Sequence, residues 1–344
     1  MHKKIMCFWI IVFLLLPVAA LGGCAQGETV PATVDEEPPQ DDAEAVEQIY
    51  KVGILQLAEH PALDNARMGT IDALADEGFV EGVNVNFDYQ NARGEIGDAE
   101  TIVRGFITDD VDLIIAITTP SVQVAARLTQ HIPIVFNAGT DPQAAGVVET
   151  WECPNTNVTG VSDLNPVKET LELILEIQPE TETVGIIYNI GEVNSVVQVN
   201  IARELTPELG LDIVESTVTH TGEVEMAAEA LLGKVDAVFL PTDNTAMTAF
   251  DSILRVAAAN NLLLVGSATE FAELGAVAAI GFNYYDLGYQ SGIMAAEVLR
   301  GANPAEMPIQ LPTRVFYAIN EGAAAAIGIE LPPDLLIRAE LKYE

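Results

Sequence analysis

From Val52 onward the chain alternates short apolar runs, rich in valine and isoleucine, with longer stretches in which apolar residues recur at helical spacing. Val52-Gly53-Ile54-Leu55-Gln56-Leu57 is the first such run, and Ala62 to Glu77 the first helical stretch. The same reading predicts strands over Asn84 to Tyr89, Asp112 to Ile117, Pro133 to Asn137, Val184 to Tyr188, Asp212 to Glu215, Ala237 to Leu240, Leu262 to Val265 and Val277 to Ile280. Runs that are apolar throughout, rather than alternating with polar residues, belong to strands buried on both faces. Interleaved with helices, they predict an α/β protein built on parallel sheets.

The pattern also repeats. Val111-Asp112-Leu113-Ile114-Ile115-Ala116-Ile117-Thr118-Thr119-Pro120-Ser121 is answered by Val235-Asp236-Ala237-Val238-Phe239-Leu240-Pro241-Thr242-Asp243-Asn244-Thr245. Each is a Val-Asp pair, a buried strand and a polar turn that opens a helix. Val52-Gly53-Ile54-Leu55 is matched in the same way by Val184-Gly185-Ile186-Ile187. We therefore expect two similar doubly wound parallel-sheet lobes joined by a hinge. Their carboxyl strand ends, where ligands bind in open α/β sheets, would face each other across one cleft. Lobe one is expected over residues 51–162 and 286–312, and lobe two over 163–285 and 313–344. The late segments return because Gly288 to Arg300 has the spacing of a helix and Leu311 to Ala318 that of a strand.

Ahead of this body, His2, Lys3 and Lys4 precede an apolar run from Phe8 to Ala20, too short for a comfortable membrane span and typical of a secretion signal. Leu21-Gly22-Gly23-Cys24 follows, and resembles a bacterial lipobox, in which the cysteine is lipidated before cleavage. That resemblance makes residues 1–23 a lipoprotein signal peptide and Cys24 the lipidation site. Residues 24–50 contain Asp35-Glu36-Glu37-Pro38-Pro39-Gln40-Asp41-Asp42, with little to bury, and read as an acidic linker. With Cys7 removed and Cys24 lipidated, Cys153 is the one thiol left in the mature body, so no intramolecular disulfide is expected.

Charge and motifs narrow the function. The 344 residues carry 51 acidic against 15 basic side chains, a formal charge of -36, which excludes a nucleic-acid partner on electrostatic grounds. The Gly-x-Gly-x-x-Gly, Walker, His-Glu-x-x-His and Gly-x-Ser-x-Gly motifs are all missing, and His131 and His220 have no partner at metal-ligand spacing. Pseudo-symmetric amino-acid racemases resemble a pair of facing thiols, which a body with one cysteine does not offer. Neither a catalytic reaction, nor a metal, nor a cofactor is expected.

Further segments carry a family resemblance: His60-Pro61-Ala62-Leu63-Asp64, Thr119-Pro120, Pro133-Ile134-Val135-Phe136, Thr140-Asp141-Pro142, Asn157-Val158-Thr159-Gly160-Val161-Ser162, Tyr188-Asn189, Glu192-Val193-Asn194-Ser195, Asp243-Asn244, Tyr284-Tyr285 and Leu287-Gly288. In order and over nearly the whole body, these resemble a group of ABC-transporter substrate-binding lipoproteins that includes tryptophan- and tyrosine-binding members. The resemblance implies the type I periplasmic-binding-protein fold, a small-molecule ligand, a membrane permease as partner and an extracytoplasmic location. A signalling receptor that hands its closed form to a membrane sensor is the alternative, and gene context would separate the two.

The candidate ligand-binding residues are Glu59, His60, Thr119, Ser121, Thr140, Asp141, Ser162, Asn189, Asn194, Ser195, Asp243, Asn244 and Tyr284. Helix N-termini at Thr119 to Ser121 and Asn194-Ser195 offer amide donors to a ligand carboxylate, although Ser121 and Ser195 serve equally well as helix caps. Asp243 and Asp141 offer carboxylates to an ammonium group, with Asp141 alternatively stabilising the turn before Pro142. Asn189 and Asn244 would complete the hydrogen bonding of Asp243. His60 and Glu59 are expected at the cleft edge. Tyr284 would either stack on a flat ligand or pack against the hinge.

Overall fold

The computed structural model describes residues 48–344. The signal peptide, Cys24 and nearly all of the expected linker lie outside these residues. Among the described residues no helix is long and apolar enough to cross a membrane.

Chain order through the first lobe is β1 (Tyr50–Gln56), α1 (Pro61–Asp76), β2 (Val85–Asn91), α2 (Ile96–Thr108), β3 (Leu113–Ile117), α3 (Thr119–Leu128), β4 (Ile134–Asn137) and β5 (Val158–Val161). The chain then crosses into α4 (Val167–Ile177), β6 (Thr183–Asn189), α5 (Val193–Leu209), β7 (Asp212–Val218), α6 (Val224–Glu229), β8 (Ala237–Leu240), α7 (Asn244–Thr248), α8 (Phe250–Ala259), β9 (Leu263–Gly266), α9 (Thr269–Glu273) and β10 (Ala278–Gly281). Helix α10 (Tyr284–Leu299) returns to the first lobe, and β11 (Phe316–Asn320), α11 (Glu321–Ala326), α12 (Pro333–Arg338) and β12 (Leu341–Tyr343) complete the second.

The duplication read from the sequence is a duplication of topology. Strand order in the first sheet is β2-β1-β3-β4-β5, all parallel. In the second, β7-β6-β8-β9-β10 reproduces that order strand for strand, and β11 and β12 extend it. The pair β10–β11 is antiparallel, the one departure from parallel pairing in either sheet. Even the glycines of the two opening strands do the same work. A Cβ on Gly53 would lie 2.6 Å from the Phe106 ring, and one on Gly185 would lie 2.8 Å from Leu231, so each glycine seats an apolar residue from a covering helix or its flank.

Two differences from the sequence reading concern the late segments. The strand expected over Leu311 to Ala318 begins only at Phe316, because Pro312 has no amide to donate to a sheet ladder and Gln310 forms just a single bridge to Val161. The helix expected from Gly288 starts at Tyr284, capped by the Asn283 side chain, which accepts from the Asp286 amide.

Helix α10 is held to the first lobe by close backbone approach. A Cβ on Gly288 would fall 2.0 Å from the Ala66 carbonyl oxygen, and one on Gly69 would fall 2.1 Å from that of Tyr285. Thr70 Oγ1 sits at this crossing, 3.1 Å from both the Gly288 carbonyl oxygen and Ser291 Oγ, and accepts a hydrogen bond from Asn137 Nδ2 at 2.9 Å.

Candidate functional site

A pocket with about 340 Å³ of empty space lies between the carboxyl strand ends of the two sheets. From the first lobe it is lined by His60, Ala62, Leu63, Thr118, Thr119, Ala138 and Thr140; from the second by Asn194, Thr242, Asp243, Asn244 and Met247. Asp163 and Tyr284, on the two crossovers that follow β5 and β10, close it at the hinge. Only about 20 Å³ of that space admits the centre of a water-sized molecule, so the lining residues of the two lobes stand close together. Among the described residues no lysine or arginine lines the pocket.

Of the thirteen candidates, His60, Thr119, Thr140, Asn194, Asp243, Asn244 and Tyr284 reach this pocket. The other six do not, and each has a physical reason. Glu59 is exposed. Asp141 accepts from the amides of Gln143 and Ala144 at 3.1 and 3.0 Å, which makes it a turn residue. Ser121 hydrogen-bonds Thr118, the N-cap of α3. Ser162 donates to the Thr140 carbonyl at 2.6 Å, fixing the loop that carries Thr140. Asn189 and Ser195 lie behind Asp243, donating to its Oδ2 from a backbone amide and a hydroxyl, each at 2.6 Å.

Asp243 is therefore built into its lobe more deeply than the sequence suggested. Its Oδ1 accepts from the Ala246 amide at 2.6 Å, capping α7, so three donors already address its carboxylate. Burial, and then the neighbouring charge of Glu192, raise its pKa to about 7. Asn244 does not serve Asp243; its side chain donates to Glu192 Oε2 at 2.6 Å.

Several residues of the site lay beyond the sequence reading. Glu192, buried at the start of α5, accepts from Asn194 Nδ2, from the amide and side chain of Asn244, and from the amide and hydroxyl of Thr245. Asp163 is buried, and accepts from the hydroxyls of Thr140 and Tyr284 at 2.7 Å each. Burial raises the pKa of Asp163, and burial together with that carboxylate raises Tyr284 well above the usual phenol range. Glu270, on α9 behind Tyr284, is pushed up to about 7 by burial. Thr118 was legible only as part of a polar turn, yet it holds φ +95° and ψ 159°. A threonine in that region carries strain of roughly 1–3 kcal/mol, a cost concentrated at sites where backbone placement matters.

Two lining side chains hold buried polar atoms with no hydrogen-bond partner among the described residues. Both nitrogens of His60 are in this state, and so is Oδ1 of Asn194. Burial lowers the His60 pKa to about 4, with Asp64 opposing weakly, so the imidazole is neutral at physiological pH. Buried polar atoms left unpaired cost about 1–3 kcal/mol each, and a ligand that pairs them recovers that cost. Among the described residues no group of acidic, histidine or cysteine side chains is arranged to hold a metal.

Comparison with known proteins agrees with this geometry. The family model described as ABC transporter substrate binding protein matches residues 51–342. A tyrosine-binding protein of Clostridioides difficile (strain R20291) is 36% identical over 328 residues, covering 95% of this chain and 93% of the relative. The crystal structure of an ABC domain in complex with L-Trp from Streptococcus pneumonia is 32% identical with a TM-score of 0.83, covering 86% of this chain and all of that one. A ligand-free, open structure of a substrate-binding protein with adhesive properties from Clostridium difficile is 38% identical, yet its TM-score is 0.67 over 86% of this chain and 99% of that one. Shape and identity thus rank these two structures in opposite order. The shared architecture is that of type I periplasmic binding proteins.

Proposed function

We propose, from the premise that this chain belongs to the ABC transporter substrate-binding protein family, that it is the extracytoplasmic, lipid-anchored receptor of an importer and closes its lobes on an amino acid with an aromatic or otherwise apolar side chain. The observation that carries this reading is the interlobe pocket itself: small, built from both lobes, supplied with buried acceptors and free of cationic side chains. Asp163, Asp243 and Asn194 Oδ1 offer those acceptors to an ammonium group, for which a charge-assisted hydrogen bond is the strong form of the interaction. Thr119 and the amide end of α3 offer donors to the carboxylate. Ala62, Leu63, Ala138 and Met247 supply the apolar wall.

The tyrosine-binding and L-Trp-bound relatives support an aromatic ligand. Closer similarity to the L-Trp-bound structure than to the open one supports a closed arrangement of the lobes in this structure. The bound form would then dock on a membrane permease, with transport driven by a separate ATPase. Cys24 would hold the receptor at the membrane, so Cys24→Ala should move it to the soluble fraction.

Calorimetric titration with tyrosine, tryptophan, phenylalanine and leucine tests the ligand. Ligand at a hundred times its dissociation constant should add about 2.7 kcal/mol to folded stability. No heat and no thermal shift with any of the four would overturn the amino-acid reading.

A further inference from the structure

Resting on the amino-acid reading above, we propose that His60 reads the polar tip of the ligand's side chain, a phenol hydroxyl or an indole N–H, and so makes this pocket prefer tyrosine and tryptophan to phenylalanine.

His60 precedes α1, and the side chains that follow it on the first turn, Ala62 and Leu63, belong to the apolar wall of the pocket. The charged and acceptor-rich lining comes from elsewhere: Asp163 at the hinge, and Asn194 and Asp243 on the second lobe. An amino acid whose ammonium faces those acceptors directs its side chain to the remaining wall. His60 is the polar group on the first-lobe wall that no protein atom occupies; Thr119 accepts from the Thr140 amide at 3.0 Å, and Thr140 donates to Asp163 at 2.7 Å.

His60 is 9% exposed and neither ring nitrogen has a partner. A neutral imidazole presents one donor and one acceptor. A phenol hydroxyl can donate to the bare nitrogen or accept from the protonated one, and an indole N–H can donate to the bare nitrogen. A phenyl ring can do neither, and on lobe closure it would seal both nitrogens away from any partner. Sites built to pair a ligand polar group reject the analogue that lacks it far more strongly than apolar pockets separate ligands by size. One such pair corresponds to about tenfold to hundredfold in affinity.

The experiment compares three ligands on three proteins by calorimetry at pH 7: tyrosine, tryptophan and phenylalanine on the unaltered chain, on His60→Leu and on His60→Gln. Unaltered protein should bind tyrosine at least tenfold more tightly than phenylalanine. His60→Leu should bring that ratio near one, mainly by tightening phenylalanine, and His60→Gln, which keeps a donor and an acceptor, should retain most of it. A ratio unchanged in His60→Leu, with amino acids still binding, overturns the assignment while leaving the amino-acid reading intact. Absence of binding by all three ligands to the unaltered protein overturns both. Should His60→Leu fail to fold, the ring-nitrogen NMR resonances of unaltered protein give the answer. Saturating tyrosine should shift those of His60 and phenylalanine should not; equal shifts would overturn the assignment.

Discussion

The two lobes share a strand order, yet they treat the same helix start in opposite ways. Helix α1 follows β1 and helix α5 follows β6, and their N-cap residues, His60 and Glu192, are topological equivalents. Glu192 is saturated: four backbone and side-chain donors from Asn244 and Thr245, and a fifth from Asn194, converge on its carboxylate. His60 has none. The second lobe has thus used its N-cap side chain to fix its own cleft wall, leaving only Asn194 Oδ1 over, and the first has left both nitrogens of its N-cap side chain unpaired. A duplicated scaffold does not imply a symmetric site; equivalent positions can serve the wall in one half and face the ligand in the other.

The largest effect that would test this contrast is steric. Gly288→Val puts side-chain atoms where the Ala66 carbonyl now lies, and forcing α10 off α1 should cost about 3 kcal/mol or more by chemical denaturation. Hydrogen exchange should show the loss in the first sheet, with β6, β8 and β9 less affected; uniform loss would mean that the lobes are not separate units of stability. Glu192→Ala comes next. It strands donors on buried Asn194 and on half-buried Asn244 and Thr245, and should destabilise the fold by about 2–3 kcal/mol.

Proton linkage separates the lobes by sign. Glu270 titrates near 7 in the folded protein and near 4.5 when unfolded, so the folded state holds the extra proton, and its contribution is lost as pH rises from about 4.5 to 7. His60 titrates near 4 folded against 6.5 unfolded, so the unfolded state takes up the extra proton, and stability is lost as pH falls from about 6.5 to 4. Glu270→Gln should flatten the first slope and His60→Leu the second, each by about 3 kcal/mol across its window. Matching slopes in variant and unaltered protein would refute either assignment. The smallest expected effect is also the most telling: at pH 7, without ligand, His60→Leu should leave stability within about 0.5 kcal/mol or raise it, because an apolar replacement removes an unpaired polar group. Destabilisation comparable to that of Glu192→Ala would erase the contrast.

The sequence carried the fold because the signal is periodic and duplicated. Val-Gly-Ile strands and Val-Asp strand starts recur at matched positions, and the parallel core of both sheets follows from them. What was short or polar was harder to see. Strand β5 is four residues with a glycine among them, and β12 is three residues, both too brief to show a pattern. At the site, polar turns after strands marked where the pocket would be but not which atoms would be left over. Asp243 and Glu192 are both acidic residues opening helices, and nothing local told that neighbours about fifty positions away would donate to each. Asp163 lay one residue beyond a candidate, Ser162, in a crossover without periodicity. The histidine was legible as a position, and its unpaired state only as a property of the assembled cleft.

The α1–α10 crossing also sets an order of events during folding. Thr70 meets Gly288 and Ser291, partners 218 and 221 positions along the chain, so the first lobe cannot finish until the start of the chain and a late helix are present together. Strands β6 to β10 and their helices, by contrast, form one continuous stretch, and loop-closure entropy favours such local contacts. The lobe encoded second should therefore collapse first, and the lobe encoded first should wait as an open sheet with the small-residue face of α1 uncovered. A chain that emerges N-terminus first would expose that face until residue 292 had emerged, an interval in which a holding chaperone has a physical target.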